Sequence, residues 1–306
     1  MTGPRRDDTI PPRISRHPGS GRIEPDILRV PVSAGALHVD RYGHGGRPVV
    51  LLHGFPTCSF VWRWVAPTLA QQNLTPVAID LLGYGESDRP YDGDFGITAQ
   101  AEYLDQAMTA LRIARAPVVG LDLGAAVALK LAATRPDRVE RLVLVNPVAL
   151  GDLPADDVKS VQRNTARFAF RITRGVMGAA PLLKPVLEGS VAAPESMPYR
   201  LVARYLAPFV GKDGVAHLIV LARSVRAQDL LEMELAAVDT PALIVWGEGD
   251  RWASERLPEL LERHVAGSRV VRLRGVGRLV PEEAPERLTE LVLDFCQGTV
   301  PARGGY

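Results

Sequence analysis

The sequence predicts an α/β fold, a mostly parallel, eight-stranded sheet with helices on both faces and an inserted helical cap. Three observations carry that expectation. Short runs rich in Val, Ile and Leu alternate with longer helical runs, the pattern of strands joined by helical crossovers. The strand runs are continuously apolar rather than alternating, as strands covered on both faces require. Residues 148–236 break the rhythm with helical segments, scattered Pro and Arg, and no strand pattern, after which the alternation resumes.

In chain order, residues 1–25, MTGPRRDDTIPPRISRHPGSGRIEP, are rich in Pro, Arg and Gly without an apolar run, which predicts a flexible leader. ILRVPVSAG and ALHVDRYG read as a hairpin. PVVLLHG (48–54) and TPVAIDL (75–81) read as buried strands separated by the helical VWRWVAPTLAQQ. The helix AEYLDQAMTALRI, the strand APVVGLD, the helix LGAAVALKLAATRP and the strand RLVLVNP follow. Beyond the insertion come TPALIVWGEGD (240–250), the helix ERLPELLERHV, the strand SRVVRLRG and a last helix, ERLTELVLDFC. The expected division is a core of 26–147 and 237–300 with a cap of 148–236.

Composition narrows the function. The 36 basic and 35 acidic residues are mixed along the chain and leave a net charge of +1. With no basic stripe, neither nucleic acid nor a membrane surface is an expected partner. No apolar run is long enough for a secretory signal or a span. Cys58 and Cys296 match no metal or redox spacing and suit a reducing, cytoplasmic setting.

The informative residues fall at the carboxyl ends of strands, where ligands bind in such sheets. In GLDLG (120–124), glycines two before and two after Asp122 permit a sharp turn that lifts this side chain above the sheet. An Asp at a helix start also serves as a cap, so the turn is what singles it out. LLHGFP precedes it and WGEGD, ending in Asp250, follows the insertion. GVGRLVPEEAPE (275–286) presents Arg278 from a glycine turn.

With these motifs in order, the chain resembles the α/β-hydrolase superfamily, in the branch of haloalkane dehalogenases and soluble epoxide hydrolases. LLHGFPTCSFVWRWV looks like that branch's oxyanion segment, AIDLLGYGESDRP like its D-x-x-G-x-G-x-S-D-x-P loop, and YLAPF (205–209) like a piece of its cap. The resemblance implies Asp122 as a nucleophile that forms an ester on the enzyme, and Phe55 and Leu123 as backbone oxyanion donors. It implies Asp250 as the acid that orients a catalytic His. It makes the cap residues Tyr199 and Tyr205 candidates for protonating an opening epoxide, and implies a small, mostly apolar substrate with no cofactor or metal, taken up by a monomer or homodimer. Of the other residues expected around the substrate pocket, His53 reads as shaping the oxyanion loop and Trp62 as helix and pocket-wall packing. Dehalogenases of the branch carry a Trp where Leu123 stands here.

The family's base loop is matched at Gly275, Gly277, Glu283, Pro285 and Glu286, and the residue at the His position is Arg278. No His lies between His264 and the C-terminus, and His217 is the one that a folded cap can lower toward Asp122. Three readings of Arg278 stay open. It closes the site of a silent binding protein as an ion pair. It serves a substrate in non-hydrolytic chemistry, with Asp122 as acid or base: cyclisation, elimination, isomerisation or epoxide opening. In the third, hydrolysis proceeds with another base.

Overall fold

A computed structural model describes residues 23–163 and 178–298; the leader expected at 1–25, but for its last residues, lies outside them, as does 164–177 of the insertion. Eight strands form one sheet: β1 (Asp26–Val32), β2 (Gly35–Arg41), β3 (Arg47–Leu52), β4 (Leu74–Ile79), β5 (Ala116–Leu121), β6 (Val139–Val145), β7 (Ala242–Gly247) and β8 (Arg269–Leu273). Their spatial order is β1-β2-β4-β3-β5-β6-β7-β8. The β1–β2 hairpin joins antiparallel to β4, and every other pair is parallel.

The unbroken apolar strands have a simple cause. Neighbouring residues of a strand point to opposite faces, and both faces are covered. Val50 and Leu52 of β3 enter one core with α2 (Ile97–Ala110) and α3 (Leu123–Thr134). Val49 and Leu51 enter the other, with α1 (Ala66–Gln71) and the last helix, Pro285–Gln297. In β7, Ile244 and Trp246 face the first core while Leu243 and Val245 face the second. Each fully buried side chain of this kind contributes about 1.5–3 kcal/mol, which offsets the charges buried at the site below.

The expected helix VWRWVAPTLAQQ is divided, with a 3-10 turn at Ser59–Trp62 before α1. Pro67 near the start of α1 has no N–H to extend the turn into it. Between β6 and β7 the described residues are helical or irregular and hold no strand. A helix, α4, opens at residue 156 and is described to 163, and α5 (Ala180–Gly189), α6 (Tyr199–Leu206), α7 (Gly211–Ser224) and α8 (Glu232–Ala236) follow. α9 (Leu257–His264), α10 (Val280–Glu283) and α11 (Pro285–Gln297) complete the chain. This helical stretch leaves from the carboxyl end of β6 and returns at β7, its strand neighbour. Among the described residues no single helix is long and apolar enough to cross a membrane.

Candidate active site

Asp122 follows the last residue of β5 and precedes α3, with φ 51° and ψ −115°. A positive φ on a residue with a Cβ costs on the order of 1–3 kcal/mol and persists where surrounding structure imposes it. Here its amide is held by the Val145 carbonyl at 2.9 Å, and one carboxylate oxygen, Oδ2, accepts from the Phe55 amide at 2.8 Å. The Leu123 amide also favours the ionised carboxyl. The loop after β3 comes so close that a Cβ on Gly54 would lie 2.6 Å from the Asp122 Cβ.

Arg278 arrives from the opposite side, on the loop after β8. Glu283 fixes that loop: it accepts from the Gly277 amide at 2.6 Å and from the Ala192 and Ala193 amides at 2.9 Å each. Gly277 is required by this crowding, since a Cβ there would lie 2.8 Å from the Ala192 nitrogen. The Arg278 side chain is 1% exposed and meets three carboxylates. Nη1 donates to Asp122 Oδ1 at 3.0 Å and to Asp157 Oδ2 at 2.9 Å, while Nε donates to Asp250 Oδ1 and Oδ2 at 3.2 and 3.1 Å. Nη2 has no partner.

Further donors complete the carboxylates. Asp250 accepts from the Asn146 side chain at 3.0 Å and the Trp252 amide at 2.8 Å, and Asp157 accepts from the Val158 amide at 2.7 Å. Asn146, at φ 40° just after β6, also takes the Gly247 amide at 2.9 Å and so ties β6 to β7 beneath Asp250.

One guanidinium against three carboxylates leaves negative charge uncompensated if all ionise, in a place buried from solvent. Burial pushes Asp122 up to about 7 against the pull of Arg278, and the charge of Asp157 pushes the same way. Asp157 is raised too, again by burial first with Arg278 opposing. Burial disfavours the guanidinium charge, but the carboxylates outweigh it and raise its pKa further. Arg278 is therefore a fixed cation, and Asp122 exchanges a proton near neutrality.

The structure thus brings Asp122, Asp250, Arg278, Phe55 and Leu123 together and adds Asp157, Asn146 and Trp252, which sequence reading missed. Asn146 had a signal, its place at a strand's carboxyl end. Asp157 had none: it sits in α4, within a stretch with no periodic or glycine mark.

The four residues expected around the pocket make contacts of their own. His53 is buried and uses both ring nitrogens on backbone: Nδ1 lies 2.9 Å from the Gly54 carbonyl and Nε2 accepts from the Leu81 amide at 3.0 Å. Trp62 packs in the α1–α11 core, whereas Phe55 and Leu123 belong to the other. Tyr199 opens α6 and is 79% exposed, because the face of that helix that packs inward carries Val202 and Tyr205. Tyr205 is buried, but its hydroxyl donates to Glu282 at 2.5 Å. His217 meets the Gly83 carbonyl at 2.6 Å and the Phe95 ring.

Comparison with known proteins gives a consistent picture. A family profile described as alpha/beta hydrolase fold matches residues 47–285. A haloalkane dehalogenase of Mycobacterium marinum is 31% identical across 58% of this chain and 56% of its own length, so the match spans about half of that protein. Epoxide hydrolase 3 of Mus musculus is 28% identical across 95% of this chain and 83% of its own. The solved structure of an alpha/beta hydrolase fold protein from Burkholderia ambifaria matches with a TM-score of 0.76 at 30% identity, covering 88% of this chain and 99% of that one.

Proposed function

The chain belongs to the alpha/beta hydrolase fold family, and from that membership we propose an enzyme of non-hydrolytic chemistry on a small, mostly apolar organic molecule. In this reading Arg278 stands where the dehalogenase and epoxide hydrolase branch has its catalytic His, and Asp122 works as an acid or base. One observation carries it: the buried guanidinium of Arg278 bonds to Asp122, Asp157 and Asp250 at once. Hydrolysing an aspartyl ester needs a base to take a proton from water, and a guanidinium held charged cannot accept one. Both oxygens of Asp122 accept a hydrogen bond, from the Phe55 amide and from Arg278, and each keeps a lone pair for a reacting proton.

What Asp122 does have is a proton affinity poised near neutrality, at about 7, which suits proton transfer. The ionised carboxylate removes a proton from the substrate, the charge left behind is drawn toward Arg278, and the protonated carboxyl returns the proton to a second atom. That sequence serves isomerisation or cyclisation; in an elimination the leaving group departs with the electron pair. Cysteine chemistry has no support here, because burial raises Cys58 beyond easy ionisation. The same double hydrogen bonding of Asp122 also favours a second reading, a binding protein that catalyses nothing.

The test is incubation with bromobutane and with styrene oxide in heavy-oxygen water, for the wild type and Arg278→His, each shown to be folded by circular dichroism. The wild type is expected to release at most one product per site. Arg278→His, which sets a titratable ring beside Asp250, is expected to turn over repeatedly with solvent oxygen in the product. Repeated hydrolysis by the wild type would remove the proposal. The binding-protein reading expects ligand affinity to survive Asp122→Asn.

A further inference from the structure

Around Asp122 not every buried donor is used, although all three carboxylates accept hydrogen bonds. Both oxygens of Asp122, of Asp157 and of Asp250 already accept from protein donors. Two donors have nothing to give to: Nη2 of Arg278 and the hydroxyl of Tyr84, both enclosed by protein. An unpaired buried polar group costs stability, and native chains seldom keep one without a use. Tyr84 belongs to this place. Its ring stands edge-on to His53 at 5.2 Å and to Phe55 at 6.5 Å, and Phe55 is the residue whose amide holds Asp122. Burial and the charges of Asp122 and Asp157 push its ionisation far up, so it stays a hydroxyl.

Charge selects the acceptor. An anion would enter where carboxylates already outnumber the guanidinium, and like charges in a dry interior repel strongly. A cation accepts no hydrogen bond and would leave both donors unpaired. A neutral oxygen meets both conditions, because it accepts from the free donors and adds no charge. We propose that Arg278 Nη2 and the Tyr84 hydroxyl are the ligand-facing donors of this site, and that the ligand brings them a neutral carbonyl or ether oxygen on an otherwise apolar small molecule. This names a substrate class for the proton-transfer reading and rests on its placement of the substrate beside Asp122. In that chemistry the oxygen gains negative charge as Asp122 removes a proton, so both donors bind the transition state more strongly than the ground state.

The experiment titrates the protein at neutral pH with probes of matched size: acetophenone, anisole, ethylbenzene and benzoate. Acetophenone and anisole are expected to bind several-fold more tightly than ethylbenzene, and benzoate the least. Tyr84→Phe is expected to weaken acetophenone about fivefold, the size of one net hydrogen bond, to reduce the red shift of its bound carbonyl stretch, and to leave ethylbenzene unchanged. Without ligand, the same variant is expected to melt at the wild-type temperature or above. A fall in Tm of more than about 2 °C would mean that the hydroxyl already has a partner, and would overturn the proposal. Acetophenone no tighter than ethylbenzene, or weaker than benzoate, overturns it as well. Binding needs no turnover, so repeated wild-type hydrolysis would remove the proton-transfer reading and leave this titration standing.

Discussion

At residue 278 one buried guanidinium meets three carboxylates, while at residue 282 one buried carboxylate meets one guanidinium. Glu282 takes both nitrogens of the Arg63 fork at 2.6 Å each, with the Tyr205 hydroxyl as a third donor. Burying an ion costs several kcal/mol, and only close geometry with matched charge offsets it. The Glu282 cluster meets that condition, and its side chains are 13% and 2% exposed. The Arg278 cluster does not: it holds carboxylates in excess, lifts Asp122 to about 7 and leaves Nη2 unpaired. A chain that builds a balanced pair four residues from an unbalanced one is not driven to the imbalance by its fold. Perturbed, crowded carboxylates of this kind collect at functional sites.

Arg278→Met strains the contrast most. Removing the cation leaves Asp122, Asp157 and Asp250 buried without one, and urea unfolding at neutral pH should report a loss of about 4 kcal/mol or more. A loss near 1 kcal/mol would show that the carboxylates simply take up protons and do not depend on Arg278.

The pH dependence comes next. The Asp122 pKa is higher folded than unfolded, so the folded chain holds this proton more tightly. The stability it contributes is fully present below the ordinary value of 3.8 and is lost as pH rises toward about 7. At about 1.36 kcal/mol per unit, that amounts to a few kcal/mol. Asp122→Asn should therefore be the more stable protein at pH 8 by that order, with the gap closing toward pH 4. Parallel curves for the two proteins would contradict the assignment.

The balanced cluster supplies the smallest effect. Glu282→Gln should cost about 2 kcal/mol in urea unfolding, since the partly exposed Arg63 can turn toward water. A loss as large as that of Arg278→Met would erase the contrast between the two clusters.

Much of the fold was legible because its causes are local. Buried strands leave unbroken Val and Leu runs, and the GLDLG and GVGR turns leave glycines, so Asp122, Asp250 and Arg278 could be found one by one. Their convergence could not be read, nor could Asp157, which is 121 residues from Arg278 in the chain. Tyr84 stands between two glycines in the loop after β4, and nothing in that pattern marks its ring as buried or its hydroxyl as unpaired. Residue type alone does not say how an imidazole, an indole or a phenol will be used: His53 meets backbone, Trp62 packs in the core and Tyr199 faces solvent.

Glu283 also sets a rule for protein engineering. It latches the Arg278 loop to two consecutive amides, Ala192 and Ala193, of the helical stretch between β6 and β7. A foreign insertion grafted onto this core must return two N–H groups to that carboxylate. A proline at either position, having no N–H, would release the latch and, with it, the aim of Arg278.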